Sequence, residues 1–257
     1  MISICNKIKI SYTLILLVLT SFLSGLFKDV LVFLFFIIIH ELGHIIFSVF
    51  FRWKIKYIRF NICGGFIYYD DIIDKSFKQG IIISLAGIMF QNIIFILIFI
   101  MYKNNMFNDR LFYMMLKYNF AISIFNILPI IPLDGSKLLE ILLNKFLPYK
   151  LSLKILNFIS FIFLLLIFLF FIINKKIEYS YIIMFSFLIK KIYLFFKNIP
   201  YLFNRFLLER YIKPINNRKY EYINGDKLYK MKRQKKHYFK INDNYYSENE
   251  ILSKKFD

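Results

Sequence analysis

Three ionisable side chains, those of His40, Glu41 and His44, interrupt the apolar stretch FFIIIHELGHIIFSVFF. Ionisable groups at membrane depth are costly, and where they occur they usually serve a function. On a helix, a spacing of four residues places both imidazoles on one face, where they can bind one Zn²⁺. Glu41 stands at an adjacent angle, from which it can take a proton from an attacking water. The alternative is a buried histidine pair within a polar network. Since two of the chain's three histidines flank this glutamate, we favour a metal site.

A catalytic zinc usually has three protein ligands and a water, so two histidines leave one ligand to find. The segment FNILPIIPLDGSK contains Asp134, preceded by Pro129 and Pro132 and followed by Gly135. Prolines break a helix, and broken backbone at membrane depth is tolerated only inside protein or beside a polar cavity. Asp134 is therefore the candidate third ligand, although an aspartate that caps the following helix would give the same pattern. We expect the helix to fail between Asn126 and Gly135, with the Asp134 carboxylate within several ångströms of both histidines.

Asn126 belongs to the same segment. Its carboxamide could donate a hydrogen bond to the carbonyl oxygen of a scissile peptide as negative charge develops there. An interhelical hydrogen bond, which membrane interfaces also favour, is the alternative.

Long apolar runs dominate the 257 residues, of which 59% are hydrophobic and 33 are Phe. Runs of about 20 residues are typical of helices that cross a bilayer. Glycines in the connection 52–79 indicate a hairpin at Gly64-Gly65, and Asn224-Gly225 indicates a turn in the tail. We therefore predict an all-α polytopic membrane protein with a membrane-associated hairpin and a small C-terminal cytosolic appendage. The six predicted spans are 10–27, 29–51, 80–102, 111–132, 151–173 and 179–197. The transmembrane domain would be 1–199, and 200–257 a basic cytosolic tail or small regulatory module.

The chain is strongly basic, with 35 Lys and Arg against 16 Asp and Glu and a net charge of +19. Such a balance indicates nucleic acid, an anionic membrane surface or basic loops retained in the cytosol, and an AT-rich genome would also enrich lysine. The distribution of basic loops favours both termini in the cytosol. Cys5 and Cys63 form no metal-ligand spacing, and we expect both to be reduced.

Together, H-E-L-G-H and N-x-x-P-x-x-P-L-D-G resemble the site-2 proteases, a family of intramembrane zinc metalloproteases. The resemblance implies that His40, His44 and Asp134 bind Zn²⁺ and that Glu41 is the catalytic acid and base. It also implies a protein substrate associated with the membrane.

Two further elements are similar to that family. SLAGIMFQN, residues 84–92, looks like its A-G-P-x-x-N element, but Ile88 replaces the proline. Gln91 stands where asparagine is expected and Asn92 follows one place later, so the role of that asparagine is open. The pair Gly64-Gly65 is similar to the glycines that the family places in a hairpin beside the active site.

The compact core and cytosolic tail resemble the sporulation members of the family, which are associated with processing of a sigma factor precursor, pro-sigma-K. This implies a bacterial inner membrane or the membrane around a forespore, and inhibitory membrane partners. The end of the tail is similar to part of a cystathionine-beta-synthase type module, although it is too short for the full paired module.

We expect peptide-bond hydrolysis, with the substrate held in an extended form by β-strand addition at 57–68. The alternative is a zinc-binding membrane transporter or sensor without proteolytic activity. A catalytically dead scaffold is not indicated, because no ligand position is degenerate. Interleaved Tyr and Lys would also suit nucleic acid, but we do not expect nucleic acid as a partner.

Overall fold

The computed structural model describes residues 2–5, 8–61, 64–69, 75–174, 179–214, 220–242 and 244–257. The chain is mostly helical in these ranges. The helices are α1 Tyr12–Leu23, α2 Phe27–Phe50, α3 Phe77–Lys103, α4 Asp109–Ile127, α5 Asp134–Phe146, α6 Tyr149–Ile173, α7 Tyr179–Ile212 and α8 Glu248–Phe256.

Three of the described helices are long and apolar enough to cross a membrane, namely α2, α3 and α6. Their best windows have mean hydropathies of 2.4, 2.5 and 3.0, and each coincides with a span expected from the sequence. With 24 residues, α2 is about 36 Å long, which exceeds the apolar thickness of a bilayer. The other three predicted spans fall on α1, α4 and α7, which are not among these three helices. The count of six spans therefore remains a prediction.

A four-stranded sheet corrects the expectation of an all-α fold. Its order is β1-β2-β3-β4, with bounds Ile2–Cys5, Ile8–Ile10, Ile55–Asn61 and Gly64–Tyr69. The predicted hairpin is present as the antiparallel pair β3–β4, and Gly64 has a φ of 120°, which favours glycine. Two N-terminal strands were missed, and α1 begins later than the expected first span because residues 8–10 pair in parallel with β3. The stretch 57–68, where strand addition was predicted, includes parts of β3 and β4. Because β3 lies between β2 and β4, an added strand could pair with β4 but not with β3.

The chain divides into two compact units, which cut across the domains expected from the sequence. The first consists of Met1–Ile72 and Lys78–Ile127, and the second of Ile73–Phe77 and Leu128–Asp257. Helix α7 continues without a break through residue 200 to Ile212. A division at 199/200 therefore stays a prediction.

In the first unit, the apolar side chains of α2 pack with those of α3 and α4 around Phe36, which is fully buried beside Val32, Ile37, Ile98 and Ile122. Helices α2 and α3 approach closely at Gly43, where an added Cβ would lie 2.5 Å from the carbonyl oxygen of Ala86. Small residues allow such backbone contacts between membrane helices. This packing fixes which face of α2 looks toward α3.

In the second unit, the tail packs on the start of α6 and on the later turns of α7. It contains strands β5 Tyr220–Asn224, β6 Lys236–Ile241 and β7 Asn244–Ser247, followed by α8. The turn expected at Asn224-Gly225 ends β5, but β5 pairs in parallel with β6 and the turn opens a crossover. The shared core contains Tyr149, Leu153, Ile199, Phe203, Phe206, Leu207, Ile223, Met231, Phe239, Ile251 and Leu252.

Polar contacts also hold this sheet. Buried Arg210 on α7 and the ring of His237 on β6 both bind Oε1 of Glu248, at 3.1 and 2.7 Å. Burial opposes the charge of Glu221 on β5, but its bonds to Lys232 and Lys235 outweigh burial and lower the pKa of this carboxyl group. The reduced state expected for the cysteines is untested, since Cys5 lies in β1 and Cys63 falls outside the described residues.

Candidate metal centre

His40 and His44 lie on the buried face of α2, as their spacing predicts. Each side chain is 3% exposed, and the two Nε2 atoms are 3.1 Å apart. Glu41 is also buried, at 6% exposure. The sequence therefore placed these three ionisable groups correctly on one interior stretch of a membrane-length helix.

Hydrogen bonds fix the tautomer of both imidazoles. His44 Nδ1 lies 2.7 Å from the main-chain oxygen of Ile83, which can only accept, so this nitrogen carries the proton. His40 Nδ1 lies 3.0 Å from Oε1 of Gln91. The amide of Gln91 donates from Nε2 to the main-chain oxygen and Oδ1 of Asn119, each at 2.9 Å, which leaves Oε1 to accept from His40. In the neutral form of each ring, Nε2 therefore presents a lone pair.

The facing lone pairs suit a metal ion. Two acceptors 3.1 Å apart cannot hydrogen-bond to each other, whereas a cation can bind both. Nitrogen ligands lie about 2.0–2.1 Å from zinc, and a tetrahedral arrangement would separate two of them by roughly 3.3 Å. The observed separation of the Nε2 atoms is close to this value.

Asp134 begins α5, after the helix break expected from the prolines. Helix α4 ends at Ile127, and the connection is held on α6 by Ser160, whose hydroxyl donates to the oxygen of Pro129 at 3.1 Å. Asp134 is 5% exposed, and its Oδ1 accepts a hydrogen bond from Nζ of Lys137 at 2.8 Å. A carboxylate in the first turn of a helix is stabilised by the helix dipole.

His40 and His44 each offer one ligand atom in the first unit, and Asp134 offers a carboxylate oxygen in the second. The three-ligand site therefore stays a prediction. Two imidazoles and a carboxylate are a common ligand set for catalytic zinc, which keeps a fourth position for water.

Two glycines leave room around the histidines and the glutamate. A Cβ at Gly87 of α3 would lie 2.4 Å from Nε2 of His44 and 2.8 Å from Nε2 of His40. A Cβ at Gly65 of β4 would lie 2.4 Å from Cγ and Cδ of Glu41. The sequence indicated a hairpin at Gly65, but it gave no role to Gly87, which lies within the stretch SLAGIMFQN.

Strand β4 is tied to α2 close to these groups. Ser48 donates to the main-chain oxygen of His44 at 2.6 Å, so the hydroxyl of Tyr69, 2.8 Å away, donates to Ser48 Oγ. This contact holds the end of β4 one helical turn beyond His44.

Three side-chain amides on α3 and α4 were considered from the sequence. Gln91, fully buried, contacts His40, whereas Asn92 donates to the oxygen of Ile88 one turn earlier. Asn126 is half-buried and donates to the main-chain oxygen of Ile122 at 3.1 Å. Its proposed role toward a substrate carbonyl stays a prediction.

Comparison with known proteins supports the same chemistry. Residues 101–170 match the model of peptidase family M50, and this stretch includes Asn126 and Asp134. The chain also resembles Stage IV sporulation protein FB of Bacillus subtilis (strain 168), with 29% identity over 205 residues. That similarity covers 80% of this chain and 71% of the relative.

The fold of the chain also resembles a solved structure, the Site-2 Protease from Methanocaldococcus jannaschii. The TM-score is 0.59 at 24% sequence identity, covering 76% of this chain and 93% of the other. The resemblance to the site-2 proteases drawn from the motifs is therefore confirmed. Together with the three apolar helices, these similarities support a membrane metalloprotease.

Proposed function

We propose that this chain is an intramembrane zinc metalloprotease that hydrolyses a peptide bond in a membrane-associated protein precursor. The observation that carries the proposal is the buried pair of histidines with facing Nε2 atoms, with Glu41 next to His40 on the same helix. The match of residues 101–170 to the M50 family model and the relative from B. subtilis support it.

Each residue of the predicted site has a separate task in this proposal. His40, His44 and Asp134 would hold Zn²⁺, which when bound polarises a carbonyl and lowers the pKa of water. The carboxylate of Glu41 accepts a proton from the attacking water and returns it to the leaving nitrogen. Asn126 would donate to the carbonyl oxygen as it becomes negative.

Strand β4 is the element best suited to hold an extended substrate. Among the strands that the structure describes it lies at one edge of the sheet, and the backbone of Gly65 lies against the side chain of Glu41. A peptide added to this edge would gain main-chain hydrogen bonds regardless of its side chains. It would also lie on the strand that contacts the proton carrier.

The precursor we propose is a sporulation sigma factor, pro-sigma-K. Support comes from the resemblance to the sporulation members of the site-2 proteases and from a relative named as a sporulation protein. Under this proposal both termini lie in the cytosol, and inhibitory membrane partners control access. A zinc transporter or sensor would use the same ligands, but no observation favours it.

Coexpression with candidate precursors tests the proposal, with Glu41→Gln as the matched variant. The amide has nearly the same shape but cannot carry the proton, so cleavage should fall by about 10²–10⁴-fold. Zinc content should stay near one per chain in both proteins. A Glu41→Gln protein that cleaves as fast as the natural chain would rule out the proposed mechanism.

We further propose that the tail engages the soluble part of the substrate. The outward side chains of the β5–β7 sheet include Tyr220, Tyr222 and Tyr245, all more than half exposed, together with Lys236 and Lys240. Aromatic rings with interleaved lysines can bind an acidic segment at a salt-dependent rate.

Charge reversal tests this surface better than truncation does. A cut near residue 200 would remove Phe203 and Phe206 from the core that they share with Tyr149 of α6. Lys236→Glu with Lys240→Glu should instead slow cleavage at low salt and leave zinc content unchanged. The control carries Lys236→Arg and Lys240→Arg, which keep both charges. Equal cleavage kinetics for the two double variants would exclude this surface.

A further inference from the structure

We infer that Gln91 and Asn119 are positioning residues, which hold His40 in the tautomer that presents its Nε2 lone pair to the metal. This inference rests on the proposed zinc site. It concerns a chain of side-chain amides that crosses from α3 to α4 and back, and that ends on His40.

The direction of each hydrogen bond in this series of amides follows from its first member, Asn92. The main-chain oxygen of Ile88 can only accept, so Asn92 points Nδ2 toward it, at 2.9 Å. Asn92 Oδ1 then accepts from Nδ2 of Asn119, at 3.1 Å. With its nitrogen committed, Asn119 offers Oδ1 to the amide nitrogen of Gln91, at 2.9 Å. Gln91 is left with Oε1 for His40.

A second main-chain oxygen fixes the same direction. Nε2 of Gln91 also donates to the carbonyl oxygen of Asn119 at 2.9 Å, and a third acceptor, Ser123 Oγ, lies at 3.3 Å. A flipped Gln91 amide would place its oxygen against these acceptors and its nitrogen against His40. The main-chain carbonyls of Ile88 and Asn119 therefore both oppose a flip of the Gln91 amide, and the proton of His40 stays on Nδ1.

The two histidines are fixed by different means. For His44 the acceptor is the backbone of Ile83, which no side-chain substitution removes. For His40 the acceptor is a side chain whose orientation depends on another side chain. A side-chain substitution can therefore change the tautomer of His40, but it cannot remove the acceptor that fixes the tautomer of His44. Residues that orient metal-binding imidazoles typically change metal affinity about 10–100-fold when they are replaced.

A purely structural role for these amides is the competing explanation. Gln91 and Asn119 are 0% and 2% exposed, and their bonds also join α3 to α4. In that case all substitutions that weaken the contact between α3 and α4 should lower zinc affinity to a similar extent. Variants that keep the acceptor toward the imidazole but lose the donor separate the two roles.

The test measures zinc affinity of the purified full chain in detergent by competition with a chelator of known affinity. Thermal unfolding of the metal-free protein is recorded beside it. Gln91→Leu removes the acceptor and should weaken zinc binding about 10–100-fold. Gln91→Glu keeps an acceptor toward His40 and should bind zinc nearly as tightly as the natural chain. This holds even though a buried carboxylate lowers the stability of the metal-free protein.

Asn119 supplies the second arm, because it never touches the imidazole. Asn119→Leu removes one acceptor that orients the Gln91 amide while the main-chain oxygen of residue 119 remains, so it should weaken zinc binding toward the lower end of that range. Asn119→Asp still accepts from Gln91 and should restore affinity. Ser123→Ala is the matched control on the same helix. It removes only the third acceptor, so zinc affinity should not change.

Three results would overturn the inference: natural zinc affinity in Gln91→Leu, equal losses in Gln91→Glu and Gln91→Leu, or equal losses in Ser123→Ala and Asn119→Leu. Failure of the proposed function looks different. If zinc affinities follow the expected order but Glu41→Gln cleaves normally, the positioning role stands and the protease mechanism falls. If the natural chain itself binds no zinc, the metal site and the inference that rests on it both fall.

Discussion

Gly87→Ala should remove zinc while leaving the fold intact. The added methyl carbon would lie 2.4 Å from Nε2 of His44 and 2.8 Å from Nε2 of His40, whereas ordinary contacts begin near 3.4 Å. The nearer imidazole tip must therefore retreat by about 1 Å. Zinc sites hold their ligand distances to within about 0.2 Å, so the displaced ring can no longer share an ion with its neighbour. Alanine also favours a helix over glycine by about 1 kcal/mol, so α3 itself should not suffer.

The assay combines metal analysis of purified protein with thermal unfolding in the presence of a chelator. The zinc content of Gly87→Ala should fall from about one per chain toward zero. The metal-free unfolding temperature should stay close to that of the natural chain. Ser84→Ala, a buried position one turn earlier on α3, is the control and should retain zinc. Full zinc content in Gly87→Ala would refute the placement of the ion between the two Nε2 atoms.

Three further outcomes are expected. Gly65→Ala should push the side chain of Glu41 aside by about 1 Å, which lowers cleavage by about 100-fold at unchanged zinc content. Unchanged cleavage by Gly65→Ala would show that the hairpin does not position Glu41 for catalysis. Asp134→Asn should weaken zinc retention and cleavage together, and full zinc with full activity would remove this residue from the site. Glu221→Gln should destabilise the tail sheet at neutral pH by less than about 1 kcal/mol. Because the folded pKa of Glu221 lies below 4.5, the difference should disappear as pH falls through it, which hydrogen exchange of β5 can follow.

The parts of the site that could be predicted from the sequence are those that depend on residues close to one another in the chain. Four-residue spacing on a helix brings His40 and His44 together whatever the rest of the chain does. The prolines around residue 130 end α4 because they cannot continue its hydrogen bonds, and Asp134 follows at the start of α5. Each inference needed only the neighbouring residues.

The missed features depend on contacts between distant segments. Adjacent residues on a helix point about 100° apart, so only the packing of α3 decides that Gln91 faces His40. The strands at the N-terminus are short, and β2 pairs with β3, which lies beyond two helices. The tail sheet was suggested by a turn at residue 224, but parallel pairing of β5 with β6 is not specified by that turn. In the first two cases the deciding partner is far away in sequence.

The parallel pairing of β2 with β3 has a consequence for how the sheet assembles. Ile8 pairs with Ile58, and all of α1 and α2 lies between them, whereas β3 and β4 follow each other directly. Closing a long loop costs more chain entropy than closing a short one, and contacts between distant residues form later. The hairpin beside Glu41 can therefore form first and serve as the template on which β2 docks. When the sheet opens, β2 should leave before the hairpin does, so the strand that contacts the proton carrier keeps its shape longest.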